Sequence, residues 1–293
     1  MSKILLTGAT GFLGSHILAS LVDNFHYDVV ILKRTTSDTF RIKKLLDSPK
    51  IKIYNADEIN LEKIFDENSI EIIIHCATNY GRNNENSLNI IQSNLVLPLS
   101  ILQLAVDHGT KLFINTDTII DKNISHYSLS KSHFLDWLKS YSDHIKCVNL
   151  SLEHFYGAFD NRTKFTTYII SSFLNNVKEL DLTAGEQKRY FIYIDDVVNA
   201  FLTILKSQNL LVDNFHNFDV STEDNIKLKD FVLMVKSLTG NRTTKVNFGK
   251  IPYRSNEVME FRTDISNLKR LGWSPVVELE EGLIKTIRQE IKL

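Results

Sequence analysis

Through the first half of the chain, short apolar runs alternate with longer segments whose apolar residues recur every three or four positions. The runs KILLT, DVVIL, IKIYN, EIIIHCA, KLFIN and IKCVNLSL are rich in β-branched residues and have the length of strands. Between them, helical periodicity is centred near 12–24, 39–47, 58–67, 86–108 and 127–142. Strand and helix taken in turn give parallel strands joined by crossover helices, so residues 1–150 are predicted to form a doubly wound α/β sheet. Beyond 150 the regularity changes. A helix near 165–177, a strand in RYFIYI, a helix from 195, a strand at FHNFDV and helices near 227–239, 264–271 and 281–291 follow. That tail is too interrupted to repeat the first half. Residues 151–293 are therefore expected to form mainly a smaller substrate-binding lobe over the carboxyl edge of the strands, with a part near 190–220 returning to the first domain. No internal repeat, low-complexity tract or proline-rich linker divides the sequence, and NNENSLN at 83–89 reads as a loop and a first helical turn.

Composition narrows the class. With 293 residues the chain can bury about three quarters of its unfolded surface, enough for a deep cleft. It is 43% hydrophobic and 24% charged with a formal net charge of -1, so no bulk charge recruits nucleic acid or an anionic membrane, and neither is an expected partner. Cys76 and Cys147 each end an apolar run, which suits buried strand residues in a reducing compartment better than a disulfide framework. The N-terminal sequence lacks the apolar core of a signal peptide, and no stretch holds ~18 uninterrupted apolar residues. A cytoplasmic location is expected.

The first strand runs into a glycine turn and then an amphipathic helix, KILLTGATGFLGSHILASL. Gly8, Gly11 and Gly14 fall where a chain must turn sharply, approach a pyrophosphate and pack helix on strand. Followed by four more βα units, the turn predicts a Rossmann-like dinucleotide site using Gly8, Thr10, Gly11, Phe12, Leu13 and Gly14. At the end of the second strand an NAD site usually places a carboxylate for the ribose hydroxyls. Here stand Lys33 and Arg34, cations suited to a 2′-phosphate, which points to NADP. Asp57, after the third strand, is a candidate acceptor for the adenine amino group, with a helix N-cap as the alternative.

The stretch NTDTIIDKNISHYSLSK carries the candidate chemistry. Tyr127 and Lys131 share a helix face at i, i+4 spacing, and a nearby ammonium lowers a phenol's pKa, readying it to protonate a developing alkoxide. Thr116, at a strand end, can hold the same oxygen in line. Taken with TGATGFLG, HCAT, YSLSK, LEHFYG, LTAGEQKRYFIYIDDVV and RTDISNLKRLGWSP, the chain resembles the extended short-chain dehydrogenase/reductases, in particular their nucleotide-sugar-modifying branch, over nearly its whole length. The resemblance implies that Ala77 lies near the nicotinamide and that the second lobe binds a nucleoside diphosphate sugar. Arg254 matches a position that meets the diphosphate and Arg189 belongs to a segment lining the same cleft, although both equally suit surface or lobe-bracing ion pairs. His154 stands where relatives carry Asn and is expected to be structural or to hydrogen-bond substrate. Asp195 and Asp196 read as caps of the following helix. A homodimer through helices 86–108 and 127–142 is also implied.

Members of the branch that dehydrate carry Thr-Asp-Glu, the Glu serving as acid and base. Here the triplet is Thr116-Asp117-Thr118, and a threonine hydroxyl cannot abstract a carbon-bound proton near pH 7. Thr118 is kept as a substrate contact. Dehydration and C3/C5 epimerisation are disfavoured, leaving hydride transfer without a metal ion. Thr116 and Tyr127 are only eleven positions apart, shorter than in most relatives, which opens the cleft near the sugar. This combination resembles the CDP-paratose and CDP-abequose synthase group, which reduces the C4 ketone of CDP-4-keto-3,6-dideoxyglucose with NADPH in deoxysugar biosynthesis for surface polysaccharide such as O-antigen. Two alternatives stay open: an NAD-dependent nucleotide-sugar epimerase with the same three catalytic residues, and a non-catalytic NADP-binding sensor or interaction protein on the same fold.

Overall fold

The computed structural model describes residues 3–24, 27–82 and 84–291. In chain order it holds β1 (Lys3–Thr7), α1 (Phe12–Asn24), β2 (Asp28–Lys33), β3 (Ile51–Asn55), α2 (Leu61–Asp66), β4 (Ile70–His75), α3 (Ser87–Ile91), a π-turn (Gln92–Val96), α4 (Leu97–Asp107), β5 (Leu112–Thr118), α5 (His126–Ser140) and β6 (Lys146–Leu152). There follow β7 (His154–Tyr156), α6 (Phe165–Leu174), β8 (Glu179–Asp181), β9 (Lys188–Arg189), β10 (Phe191–Tyr193), α7 (Ile194–Lys206), β11 (Phe215–Val220), β12 (Ile226–Lys227), α8 (Leu228–Leu238), β13 (Lys245–Asn247), α9 (Ser266–Arg270) and α10 (Leu279–Glu290). The chain divides into two compact units, Met1–Leu152 with Phe201–Asp219, and Glu153–Ala200 with Val220–Leu293.

The first unit is a seven-stranded sheet in the order β11-β6-β5-β4-β1-β2-β3, with β1 to β6 paired in parallel. This is the doubly wound, Rossmann-like arrangement, and strand order reverses between β1 and β4. Ligands of such sheets bind outside the carboxyl ends of the strands at that reversal. Leu5, Val30, Ile73 and Phe113 from the strands pack with Ile101 and Leu102 of α4 and Phe134 and Leu138 of α5 in one core cluster. Each such side chain contributes about 1.5–3 kcal/mol of burial.

Two helical segments differ from the sequence reading. Residues 39–47 form turns and a single 3-10 turn at Lys43–Leu45, because only Ile42 of that stretch is buried and one apolar contact cannot hold a helix. The helix read at 86–108 is interrupted by the π-turn, which places Asn94 inside. The Asn94 side chain is fully buried: its carbonyl accepts from the Asn79 N–H at 2.7 Å and the Thr78 hydroxyl at 3.2 Å, and its amide donates to the Asn79 carbonyl at 2.8 Å and the Ser130 hydroxyl at 3.0 Å. An extra residue in the turn re-aims a polar side chain that would otherwise face the apolar core. By length and composition alone the run Ser87–Asp107 is apolar enough to cross a membrane; it lays Ile90, Pro98, Ile101, Leu102 and Ala105 inward. α5 begins at a capping box, in which the Ser125 hydroxyl accepts from the Ser128 N–H at 3.1 Å and the Ser128 hydroxyl accepts from the Ser125 N–H at 3.2 Å.

The second unit is stitched from two-stranded pairs, β7 with β10, β9 with β12 and β8 with β13. RYFIYI is thus split between β9 and β10. Asp196 is no helix cap. It is buried in the first turn of α7, accepts the Val277 N–H on its carboxylate at 3.0 Å, and its carbonyl takes the Trp273 indole N–H at 2.9 Å, so it tethers a distant loop.

Candidate active site

The glycine turn is built around close backbone approaches. Gly8 has φ of 71°, and a Cβ there would lie 2.6 Å from the Ala77 nitrogen; one on Gly14 would lie 2.2 Å from the Gly8 carbonyl oxygen. Gly11 differs. It is exposed, and a Cβ there would meet only the Gly8 oxygen, at 3.2 Å. Gly8 and Gly14 therefore hold the turn itself, while Gly11 leaves bare backbone at the start of α1. The residues fit a pyrophosphate, which a helix start attracts through its N–H groups and dipole. Phe12 and Leu13 have buried side chains, so what they can offer a ligand is main chain, and Thr10 is half-buried beside them. Across the reversal, the Thr7 hydroxyl accepts from the N–H groups of Cys76 and Ala77, both at 3.2 Å, and pairs with His75 Nδ1 at 2.9 Å. Burial holds His75 well below its ordinary pKa, so it is neutral.

At the end of β2, Lys33 is half-buried, its ammonium donating to the Arg34 carbonyl at 3.2 Å, and Arg34 is exposed. Asp57 reaches this loop from the end of β3. Its carboxylate accepts from the Thr35 N–H at 2.9 Å and from the Thr35 hydroxyl, contacts that hold it below the usual carboxylate range. It does not cap α2, whose N-cap is Asn60. Its observed work is to fix the loop that carries the two cations.

The Thr-Asp-Thr triplet closes β5, which outruns β4: the last β4 pairing is His75 with Asn115, while pairing with β6 continues to Thr118. Thr116 meets the end of β4. Its hydroxyl donates to the carbonyl of His75, the last residue of β4, at 2.9 Å. Thr118, two residues on and hence on the same strand face, accepts the Ile120 N–H on its hydroxyl at 3.3 Å and lies near enough to the Tyr127 phenol to act on its acidity. Lys131 is 1% exposed, and its ammonium donates to the Thr116 carbonyl at 2.8 Å. Lys122 donates to the Thr118 carbonyl and to Asp117 Oδ1, both at 2.7 Å. Tyr80 lies against Tyr127 with ring centroids 5.0 Å apart, and the Arg82 guanidinium sits over the Tyr80 ring.

The phenol's acidity also departs from expectation. Burial pushes the Tyr127 pKa well above 10, with Tyr80 and the Asp117 carboxylate acting in the same direction, and these outweigh the opposing Thr118 hydrogen bond and Arg82 charge. The ammonium expected to acidify it is itself desolvated: burial brings Lys131 down to about 8 against the pull of Asp117. Tyr127 thus holds its proton near neutral pH. The sequence reading missed Asn94, Tyr80 and Lys122. Only Asn94 left a signal, as an Asn within an apolar helical run.

In the second unit, His154 Nδ1 pairs with the buried Glu153 carboxylate, with the imidazole edge-on to Phe191. Arg189 is 8% exposed and spent within its own unit, on Glu257 at 2.9 Å and the Lys188 carbonyl at 2.7 Å, which is the bracing alternative. Arg254 is exposed, at the turn closed by the Glu257 N–H to its carbonyl. A small apolar cavity of about 20 Å³ lies among Phe165, Leu182, Leu228, Val232 and Phe248.

A strand-order reversal flanked by a glycine turn, with a Tyr and a Lys on the helix after β5, defines a nucleotide-dependent oxidoreductase-like fold. The chain belongs to the NAD dependent epimerase/dehydratase family, the extended short-chain dehydrogenase/reductases, whose model matches residues 4–216. It is 36% identical to the CDP-abequose synthase of Salmonella muenchen over 97% of each chain, and 31% identical to that of Salmonella typhimurium strain LT2 over 98% of this chain and 97% of the relative. Among solved structures it resembles UDP-glucose 4-epimerase of Thermotoga maritima (TM-score 0.86, 23% identity, 99% of this chain and 98% of the other). It resembles UDP-glucuronic acid 4-epimerase of Bacillus cereus, in complex with UDP-glucuronic acid and NAD, to the same degree (0.86, 23%, 99% of each). These two likenesses describe the fold.

The contrast between the glycines is testable. Gly14→Ala should cost about 1–3 kcal/mol in urea unfolding, since backbone must move to admit the methyl. Gly11→Ala should hold stability within about 1 kcal/mol yet weaken binding of the reduced nicotinamide dinucleotide, read by fluorescence titration.

Proposed function

We propose that the protein reduces the C4 ketone of a nucleotide-linked 4-keto-deoxyhexose with NADPH, CDP-4-keto-3,6-dideoxyglucose being the favoured substrate, in deoxysugar biosynthesis for a surface polysaccharide. The observation that carries this reading is that one turn of α5 bears both the Tyr127 phenol and the buried Lys131 ammonium, the latter on the Thr116 carbonyl at the end of β5 at 2.8 Å. A reductase needs a proton donor at the reacting oxygen, and a phenol that holds its proton is one. An epimerase that begins by oxidation needs the phenolate first. Dehydration needs a carboxylate base, and Asp117 is engaged by Lys122, by its own chain at the Thr118 N–H and by Asn149. The CDP-linked substrate is supported by the two relatives named CDP-abequose synthase, and NADPH by Lys33 and Arg34 at the end of β2.

The dinucleotide, held by the glycine turn, supplies the hydride when bound. Tyr127 gives its proton to the C4 oxygen. Thr116 offers the second hydroxyl that keeps this oxygen in line, with Thr118 on the same strand face as a substrate contact. Lys131 bears the positive charge that stabilises the phenolate left behind. Substrate contacts from Arg254 and His154 remain part of the proposal, as do a soluble cytoplasmic location and a homodimer. The last is supported by exposed Leu88, Ile91 and Val96 on the Ser87–Asp107 run and Leu129 and Trp137 on α5.

Tyr127→Phe should bind NADPH with unchanged affinity and lose turnover of CDP-4-keto-3,6-dideoxyglucose by at least about 100-fold, the scale of general acid catalysis; retained turnover would overturn the assignment. Replacing Lys33 and Arg34 by Ala should raise the Kd for NADPH by about tenfold or more and leave that for NADH unchanged, since each lost charge-assisted contact is worth about 1.5–3 kcal/mol. Equal loss for both coenzymes would remove the case for a 2′-phosphate site.

A further inference from the structure

We infer that Asp117 and Lys122 are positioning residues for the Tyr127–Lys131 pair, the ion pair locking the β5–α5 loop and setting two opposite charges beside the Lys131 ammonium. The inference rests on the reading of Tyr127 and Lys131 as the reacting pair. It begins from the overhang of β5. Past Asn115 no β4 residue stands beside the strand, and a buried carbonyl without a donor costs free energy. Two ammonium groups take the place of that neighbour, Lys131 on the Thr116 carbonyl and Lys122 on the Thr118 carbonyl. Between these two carbonyls lies Asp117, with a side chain 1% exposed. Its Oδ1 accepts from Lys122 Nζ and the Thr118 N–H, both at 2.7 Å, and its Oδ2 from the Asn149 amide at 3.3 Å. The loop is short. One lysine at its midpoint, 30% exposed at the side chain, is fastened both to the strand end and, through its own carbonyl, to the Ser128 hydroxyl in the first turn of α5. The loop, the strand end and the helix bearing Tyr127 are thereby held as one piece.

The same geometry bears on charge. The titratable groups facing Lys131 are His75 and Cys76 at the end of β4, Asp117 on β5, Lys122 in the loop and Tyr127 on its own helix, with Tyr80 and Arg82 beside the phenol. His75 is neutral because burial holds it well below its ordinary pKa, and burial raises the Cys76 thiol to about 12, so that it too is neutral. Tyr127, raised well above its ordinary value by burial, is uncharged at neutral pH. Among the groups that act on Lys131 this leaves one anion and one cation, Asp117 pulling its pKa up and Lys122 pushing it down, with burial in the same direction as Lys122. The two members of the ion pair act on Lys131 with opposite sign. A loop brace alone would not.

The test uses the full-length protein labelled with [13Cε]lysine, the Lys131 signal assigned by its loss in Lys131→Arg. Lys131 should titrate near pH 8 in the unsubstituted protein. Lys122→Met removes the cation and frees Asp117, so the midpoint should rise. Asp117→Asn removes the anion and leaves Lys122 uncompensated, so it should fall; each shift should be on the order of one pH unit. The alkaline limb of NADPH oxidation with CDP-4-keto-3,6-dideoxyglucose should move in the same two directions, and Lys122→Arg should restore the original profile. Should Asp117→Asn fail to fold, the upward shift in Lys122→Met and its reversal by Lys122→Arg decide the matter. Unchanged midpoints, or a shift of the same sign in both variants, would overturn the inference. Because the Lys131 titration is read without turnover, it stands apart from the reaction: retained turnover in Tyr127→Phe would sink the proposed function while leaving this result intact.

Discussion

The unsupported end of β5 is the constraint around which the site is arranged. The sheet delivers three residues past the last pairing with β4, and their backbone groups still need partners in a buried place. The protein answers with side chains: Lys131 and Lys122 on the carbonyls of Thr116 and Thr118, and the Thr116 hydroxyl on the carbonyl that ends β4. Each answer has a chemical consequence. Burying an ammonium lowers its pKa, so Lys131 sits near the point where it can lose its proton, and Asp117 is retained beside it at the cost of desolvating a carboxylate. The fold's need for donors and the site's need for a charged group near Tyr127 are met by the same atoms.

Much of the first unit could be read from the sequence because its signals are local. Six apolar runs, a glycine turn and a capping serine each act within a few residues, and the runs are indeed the parallel strands β1 to β6. Where the outcome depended on distant partners, the reading failed. Residues 39–47 carry helical periodicity but have too little to pack against. Asp196 stands where a cap is expected and is drawn instead to the Val277 N–H. The π-turn around Asn94 exists because the chain after β4 has main-chain groups to satisfy, a demand invisible in the helix's own sequence.

The site divides along the same line. Tyr127 and Lys131 share a helix face by spacing alone, and Lys131 reaches the end of β5 at the Thr116 carbonyl. The partners of the two threonines could not be read from the triplet, since Thr116 and Thr118 lie on one strand face and differ only in what stands beside them. The His75 carbonyl takes the first hydroxyl, and the Ile120 N–H meets the second. The phenol's raised pKa was likewise hidden, because it follows first from burial and then from Tyr80 and Asp117, groups outside the Tyr-Lys spacing. Arg189 shows the same limit. A basic residue in a segment expected to line the substrate cleft is drawn within its own unit to Glu257.

The proposed reduction has Tyr127 give one proton to the sugar oxygen at the end of a hydride transfer, with the triplet carboxylate Asp117 engaged by Lys122. The most direct measurement is to incubate the protein with CDP-4-keto-3,6-dideoxyglucose and NADPH deuterated at the transferable C4 position, then to weigh the recovered sugar nucleotide by mass spectrometry. Net reduction predicts one deuterium at the sugar C4 for each NADPH consumed. A product altered at C4 without deuterium and without loss of NADPH, or no product at all, would contradict it.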